Sequence, residues 1–202
     1  MGKIDQIKQL THTPYVNLYE LKTTNKKGKR GSYYMASRAE TPDALKLKTR
    51  ENTPDGVIIY SVYGEQKDRI VLVRQYRYCI GGYIYEFPAG LVEPGEDYHA
   101  AGIRELREET GLDLDLLSVD EMYEKPAFTT IGMTDESCAT IYGYASGEIT
   151  SIGQEDSEEI EIVLADRREV RRILKEERIA IMCAYMLMHF LNDEDPFAFI
   201  RN

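Results

Sequence analysis

The stretch Gly90 to Leu112, GLVEPGEDYHAAGIRELREETGL, constrains this chain most, because it joins a turn-rich loop to one acidic helix. Pro94-Gly95 signals a turn, and Glu96 and Asp97 put acid where the dipole of a following helix favours it. Residues 97–110 are mostly good helix formers, and Gly111 stands where a left-handed C-terminal cap belongs. On a wheel of about 100° per residue, Ile103, Leu106 and Thr110 share the side predicted to meet a core. Glu105, Glu108 and Glu109 fall on the other side, within an arc of roughly 100°. Like charges three or four apart destabilise an isolated helix by roughly 0.2–0.5 kcal/mol per pair. Hard divalent cations such as Mg2+ or Mn2+ take oxygen ligands and would reverse the sign of that repulsion. Taken alone, an acidic helix face is usually solvated surface, and Arg104 and Arg107 could neutralise this one through local pairs.

The spacing is more specific than the acidity. The pattern G-x5-E-x7-R-E-U-x-E-E-x-G-U, with U aliphatic, is met at Gly90, Glu96, Arg104, Glu105, Leu106, Glu108, Glu109, Gly111 and Leu112. In this the chain resembles the Nudix hydrolases. The resemblance implies an α/β/α sandwich with a mixed sheet and a metal-dependent enzyme that cuts a nucleoside diphosphate linked to another group.

At 202 residues the chain can hold one ample core and a small appended subdomain. The expected division is an N-terminal β-hairpin and dimerisation subdomain over 1–52, then the hydrolase domain over 53–202. A net charge of −10 argues against nucleic acid and anionic membrane as partners. It would repel a pyrophosphate as well, so such a substrate needs metal and a few well-placed arginines. No apolar run approaches the roughly 18 residues of a membrane span, and MGKIDQIKQL lacks a signal peptide's apolar core. Cys79, Cys138 and Cys183 form no C-x-x-C pair and read as buried thiols in a reducing cytoplasm.

Along the chain, residues 15–23 and 32–37 are tyrosine-rich and β-branched runs around a polar, glycine-containing turn, hence a hairpin. An isolated hairpin is marginal in water, so it is expected to pack on the main domain or on a second subunit. A polar linker is predicted from Glu40 to Pro54. Strands are predicted over 56–63, 69–76, 83–87, 116–123, 137–145 and 159–164. Asp166 is placed to cap a helix reaching Glu177, and 179–191 is a second helix with a Met, Cys and Phe stripe for a core or an interface.

Outside the box, Thr53-Pro54-Asp55-Gly56-Val57, Val73-Arg74-Gln75-Tyr76-Arg77, Gly81-Gly82-Tyr83, Glu86-Phe87-Pro88-Ala89-Gly90 and Gly132-Met133-Thr134-Asp135-Glu136 are similar to the ADP-ribose pyrophosphatase branch. Together these cover roughly Ser32 to Leu164. The resemblance implies a homodimer and two or three Mg2+ (or Mn2+) ions held by Glu105, Glu109 and the carbonyl of Ala89. Glu108 joins them directly or through water. Arg104 and Glu96 brace the loop and hold the glutamates, and Gly90 and Gly111 shape the box. Arg77 resembles the arginine that grips the diphosphate. Arg38 and Tyr33 resemble a dimer-borne arginine and an adenine-stacking aromatic, although a strand tyrosine is also ordinary by itself.

The branch places its general base on a loop before a late strand. That loop is Glu155-Asp156-Ser157-Glu158-Glu159 here, with Glu158 as the choice and Asp156 or Glu159 next if the register slips. The implied reaction is hydrolysis of ADP-ribose to AMP and ribose 5-phosphate. The alternatives are another sugar nucleotide, such as GDP-mannose or an ADP-sugar, and a non-catalytic ADP-ribose-binding domain. One departure leaves the substrate more open than the chemistry. The branch carries a Pro-Gly pair after the box, whereas Pro126 is followed by Ala127 and Gly132 is preceded by Ile131.

Overall fold

The computed structural model describes residues 1–154 and 159–201, which form two compact units. The first unit comprises Met1–Asp55 and Pro126–Cys138, and the second Gly56–Lys125 with 139–202.

In the first unit, β1 (Lys3–Gln9), β2 (Asn17–Thr24) and β3 (Arg30–Ser37) form an antiparallel sheet in the order β1-β2-β3. The predicted hairpin is β2–β3. Its turn is held by the Asn25 side chain, whose Oδ1 accepts from the backbone N–H of Lys27 and Lys29, while Gly28 takes φ 80°. Strand β1 escapes a period-two reading because its register shifts between Ile4 and Gln6. The inner face carries Tyr19, Leu21 and Met35, which are buried with Leu45. The sheet therefore covers its apolar side within its own unit, which overturns the expectation that it needs another domain or subunit for this. A third strand and the Leu45 cover supply what a lone hairpin lacks. The predicted linker is likewise not featureless. A short 3-10 turn at Pro42–Ala44 leads to α1 (Lys46–Thr49), anchored where Lys46 Nζ donates to Asp55, Ser137 Oγ and the carbonyl of Thr53.

The second unit is built on β4 (Gly56–Tyr63), β5 (Arg69–Arg77), β6 (Gly82–Glu86), β7 (Ala89–Leu91), β8 (Asp113–Leu116), β10 (Ser137–Ser146) and β11 (Ile160–Ala165). The strand order is β11-β5-β4-β10-β8, with β6 on β5 and β7 on β4. Strand β9 (Ala127–Phe128) pairs with Ser137 and Cys138 inside the first unit. The larger sheet is mixed and the fold is α/β, as the sequence implied. One face carries Val57, Ile59 and Val71 in a core with Ala101 and Leu106 of α2 (Tyr98–Thr110). The other carries Tyr60, Val62, Ile70 and Leu72 against α4 (Arg167–Glu176) and α5 (Ile181–Asn192). Asp166 caps α4 by accepting from Glu169 N–H, as predicted. The strand predicted over 116–123 does not extend so far. β8 stops at Leu116, and α3 (Glu121–Glu124) forms because the Asp120 carboxylate caps it through Met122 N–H.

The thiols depart from the expectation of uniform burial. Cys79 is exposed, Cys138 half-buried and Cys183 buried, and all three are free. Desolvation, with Glu136 and Asp55 nearby, pushes the Cys138 thiol up to about 11. Among the described residues, no helix is long and apolar enough to cross a membrane.

Two adjacent positions on β4 give a stability test. Ser61 Oγ is buried without a hydrogen-bond partner among the described residues, whereas the buried Tyr60 hydroxyl donates to the Pro196 carbonyl at 2.9 Å. An unpaired buried hydroxyl costs about 1–3 kcal/mol of desolvation, and a made bond contributes about 1 kcal/mol net. Urea unfolding should find Ser61→Ala neutral or up to about 1 kcal/mol more stable, and Tyr60→Phe less stable by about that amount.

Candidate active site

The backbone that leads into α2 is fixed before any side chain acts. After β6, Phe87 is buried and the Pro88 carbonyl accepts from Ile59 N–H at 2.9 Å. Ala89 and Gly90 then pair with Ile58 and Val57 as β7. The turn expected at Pro94-Gly95 is present, with Gly95 at φ 83° and Glu96 N–H donating to the Glu93 carbonyl. Asp97 is the N-cap of α2, its carboxylate accepting from His99 and Ala100 N–H at 3.0 and 3.3 Å. Gly111 closes the helix in the left-handed conformation, φ 77°, as predicted.

Packing draws the helix tightly onto this backbone. A Cβ on Gly102 would come within 2.2 Å of Ile141 Cδ1, so glycine lets α2 lie close against β10. A Cβ on Gly90 would stand 1.9 Å from the Glu105 carboxyl carbon. The Glu105 carboxylate therefore occupies the space that any side chain at position 90 would take. One turn on, the Glu109 side chain is buried, and its Oε2 accepts from Ala89 N–H at 3.2 Å. Two carboxylates of α2 thus converge on the Ala89–Gly90 backbone.

The helix turns a different face inward from the one its wheel predicts. Ile103 is exposed, and the buried arc of α2 runs through Gly102, Leu106, Glu109 and Thr110. The inner face of the helix is rotated toward the glutamates, because the β7 backbone rather than solvent receives them. Glu108 alone of the three stays half in solvent, its side chain 49% exposed.

Arg104 ties the constellation together. Its Nε and Nη2 grip both oxygens of Glu96, each at 3.0 Å, and Nη2 also donates to the Leu91 carbonyl at 3.1 Å. Its Nη1 reaches Glu105 at 2.8 Å and Glu108 at 3.0 Å. The hydrogen bond from Arg104, then that from Glu93 N–H, holds the Glu96 carboxyl below the usual carboxylate range. Reciprocally, the Glu96 bond heads the causes that push the Arg104 guanidinium above its ordinary value. One cation thus offsets repulsion among three carboxylates and fastens the 91–96 loop to the helix.

This geometry suits a hard cation. Among the described residues no three His, Cys, Asp or Glu side chains gather into a ready-made cluster. The convergent donors are instead two carboxylates, Glu105 and Glu109, beside the Ala89 backbone, with Glu108 reachable at the rim. An all-oxygen set of this kind fits Mg2+ or Mn2+ better than a thiophilic metal.

The remaining expected residues fall in several places. Arg77, at the end of β5, donates from Nε to Glu86 at 2.7 Å, a partner the sequence reading did not single out. The EFPAG segment that carries Glu86 was its only signal. In the first unit, Arg38 is paired with Glu136 through Nε at 3.0 Å and Nη2 at 2.9 Å. Tyr33 donates its hydroxyl to the Gly132 carbonyl and borders a cavity of about 350 Å3 with Met35, Leu47, Phe128 and Ile131. Glu158, with Asp156, lies outside the described residues. Glu159 is described, and its carboxylate accepts from the Tyr83 hydroxyl. Its neighbour two along, Glu161, binds Arg74, and the same side of β11 carries Val163 and Ala165 into the α4–α5 core. Glu159 therefore belongs to the face opposite α2.

Gly90→Ala separates folding from function. The atom displaced is the tip of a flexible side chain, so the fold should tolerate the substitution and the carboxylate should swing out of place. The melting temperature should change by only a few degrees, while kcat falls about a hundredfold or more, as for loss of a group that supports charge development. Full activity in Gly90→Ala would show that Glu105 need not sit there.

The NUDIX domain model matches residues 52–182. The chain is 35% identical over 136 residues to putative nudix hydrolase 2 of Caenorhabditis elegans, covering 67% of this chain and 57% of that protein. It is 40% identical over 77 residues to the ADP-sugar pyrophosphatase of Mus musculus, covering 37% of this chain and 35% of that one. It is 34% identical over 98 residues to the ADP-ribose pyrophosphatase of Saccharomyces cerevisiae, covering 46% and 42%. The chain thus spans less than two thirds of the length of each of these relatives. A crystal structure of an ADP compounds hydrolase superposes with a TM-score of 0.68 over 94% of this chain and 91% of that one, at 16% identity, a likeness of fold. The family model spans the helix whose two carboxylates converge on the β7 backbone, and by that match this chain belongs to the NUDIX domain family.

Proposed function

We propose that the chain hydrolyses the pyrophosphate bond of a nucleoside diphosphate sugar, with ADP-ribose as the preferred substrate and AMP and ribose 5-phosphate as products. The observation that carries this reading is the convergence of Glu105 and Glu109 on the Ala89–Gly90 backbone. The names of the mouse and yeast relatives favour an ADP-sugar or ADP-ribose, and GDP-mannose or another ADP-sugar is the second reading within the same chemistry. A non-catalytic ADP-ribose-binding role is disfavoured by the intact set of Arg104, Glu105, Glu108 and Glu109.

Each residue is assigned by what it does in this chain. Glu105, Glu109 and the Ala89 carbonyl would hold Mg2+ or Mn2+, two or three ions, with Glu108 at the rim. Bound there, the ions would neutralise charge on the diphosphate and make water a stronger nucleophile near neutral pH. Arg104 and Glu96 keep the glutamates and the 91–96 loop in register. Arg77 grips the diphosphate. Arg38 and Tyr33 take the roles of the dimer-borne arginine and the adenine-stacking aromatic. Glu158 takes the proton of the attacking water, and Asp156 is the next candidate. Glu159 drops out of that choice, because its carboxylate is engaged on the opposite face of the sheet.

We further propose a homodimer, on the strength of the family resemblance and of exposed Leu18 and Tyr34 on the outer side of the small sheet. Free thiols at Cys79, Cys138 and Cys183 suit a reducing compartment such as the cytoplasm.

A panel of nucleoside diphosphate derivatives, assayed with Mg2+ for monophosphate release, tests the reaction. ADP-ribose should give the highest kcat/KM, and Glu105→Gln should lower kcat by about a thousandfold or more without unfolding the protein. A Glu105→Gln variant with near-normal turnover would sink the assignment. Light scattering at micromolar concentration should give about twice the 23.2 kDa chain mass. A fully active monomer would contradict the dimer.

A further inference from the structure

We propose that Glu86 is a positioning residue for Arg77, holding its guanidinium extended over the α2 side of the sheet before substrate arrives. The inference rests on the reading of Arg77 as the diphosphate-gripping arginine and adds a residue on which that grip depends.

The register makes the contact unusual. Strands β5 and β6 pair Arg77 with Gly82, Gln75 with Ile84 and Val73 with Glu86. Arg77 and Glu86 are therefore not cross-strand neighbours. They stand four positions apart along the ladder, about 13 Å at roughly 3.3 Å per residue. Ordinary pairs across a sheet join directly opposite residues about 5 Å apart, or diagonal ones about 7–8 Å apart. Yet Arg77 Nε donates to Glu86 Oε2 at 2.7 Å. Both side chains must lie nearly extended along the sheet, reaching toward each other past Gln75 and Ile84.

Alternation along the strand fixes which side they lie on. Val71 packs in the core shared with Ala101 and Leu106 of α2, and Val73, Gln75 and Arg77 follow at steps of two. The pair thus occupies the face that carries α2. Glu86 also stands three residues before Ala89, on the strand that delivers the chain to the β7 backbone. A carboxylate there opposes the binding of an anionic substrate, in a chain that is already −10. Its benefit must therefore be geometric.

The chemistry of the fork supplies that benefit. The bond to Glu86 uses Nε, so the two Nη groups keep their donors for paired hydrogen bonds to phosphate oxygens. The Arg77 side chain is 43% exposed and would otherwise sample many rotamers, while the Glu86 side chain is 22% exposed and anchored in β6. Fixing the guanidinium in advance lowers the ordering cost that binding would incur. A role of this kind shows in substrate binding more than in turnover.

The test is a double-mutant cycle on the intact chain, with the nucleoside diphosphate sugar that it hydrolyses fastest. Arg77→Ala should raise KM about tenfold or more, and Glu86→Ala should raise it about fivefold with kcat within about twofold. Glu86→Gln keeps an acceptor oxygen and should restore most of the affinity. In the Arg77→Ala background, Glu86→Ala should change KM by less than about twofold, because the group that it positions is gone. Glu86→Ala or Glu86→Gln effects that multiply with Arg77→Ala would overturn the positioning role and leave Arg77 in place. So would a Glu86→Ala enzyme with normal KM beside a crippled Arg77→Ala. If Arg77→Ala itself binds and turns over normally, the diphosphate reading of Arg77 fails, and this inference fails with it.

Discussion

The whole site depends on one missing side chain. Gly90 has no Cβ, and the Glu105 carboxylate sits in the space that one would occupy. From that contact the other features follow in order. Strand β7 must be held on β4 to present the Ala89–Gly90 backbone, and α2 must lie close enough to press two carboxylates on it. Gly102 against Ile141 permits the second condition, and the buried Phe87 with the Pro88–Ile59 hydrogen bond secures the first. The site is therefore built from backbone and helix faces of the unit that holds the large core.

Bringing acids together has an electrostatic cost, and the structure offsets it with Arg104. The guanidinium meets Glu96 through two parallel bonds and reaches Glu105 and Glu108 with its other nitrogen. This is a surface-to-interior gradient: Glu108 stands half in water, Glu105 is largely covered and Glu109 is buried. A divalent cation at the inner pair would find oxygen donors already ordered, while the arginine keeps the outer ones in register. A second guanidinium–carboxylate contact joins Arg77 and Glu86 on the neighbouring strands.

Much of this was legible in the sequence, for identifiable reasons. The Gly90–Leu112 spacing records contacts that admit few substitutions: a glycine under a carboxylate, an arginine among three glutamates, a left-handed cap at Gly111. Apolar runs joined by a turn signal marked β4 and β5, and alternation marked β11. What escaped was set by tertiary context. Strand β1 hides behind a register shift, and α1 forms in a polar stretch where Lys46 finds acceptors at nearby Thr53 and Asp55 and at Ser137, 91 residues on. The wheel placed Glu105 and Glu109 away from the core, because a wheel cannot know that a backbone strand waits on the side of the acids. The Arg77–Glu86 pair was unreadable for a related reason, since it skips four positions of a strand register that the sequence does not state.

The central claim is that Glu105, Glu109 and the Ala89 carbonyl are the cation-holding oxygens. Crystals grown with Mn2+ and a non-hydrolysable nucleoside diphosphate sugar, measured at the manganese edge, address it directly. Anomalous peaks are expected within about 2.5 Å of carboxylate oxygens of Glu105 and Glu109, with at least one also reaching the Ala89 carbonyl. Peaks confined to other carboxylates, or a substrate diphosphate seated away from the Ala89–Gly90 backbone, would contradict it.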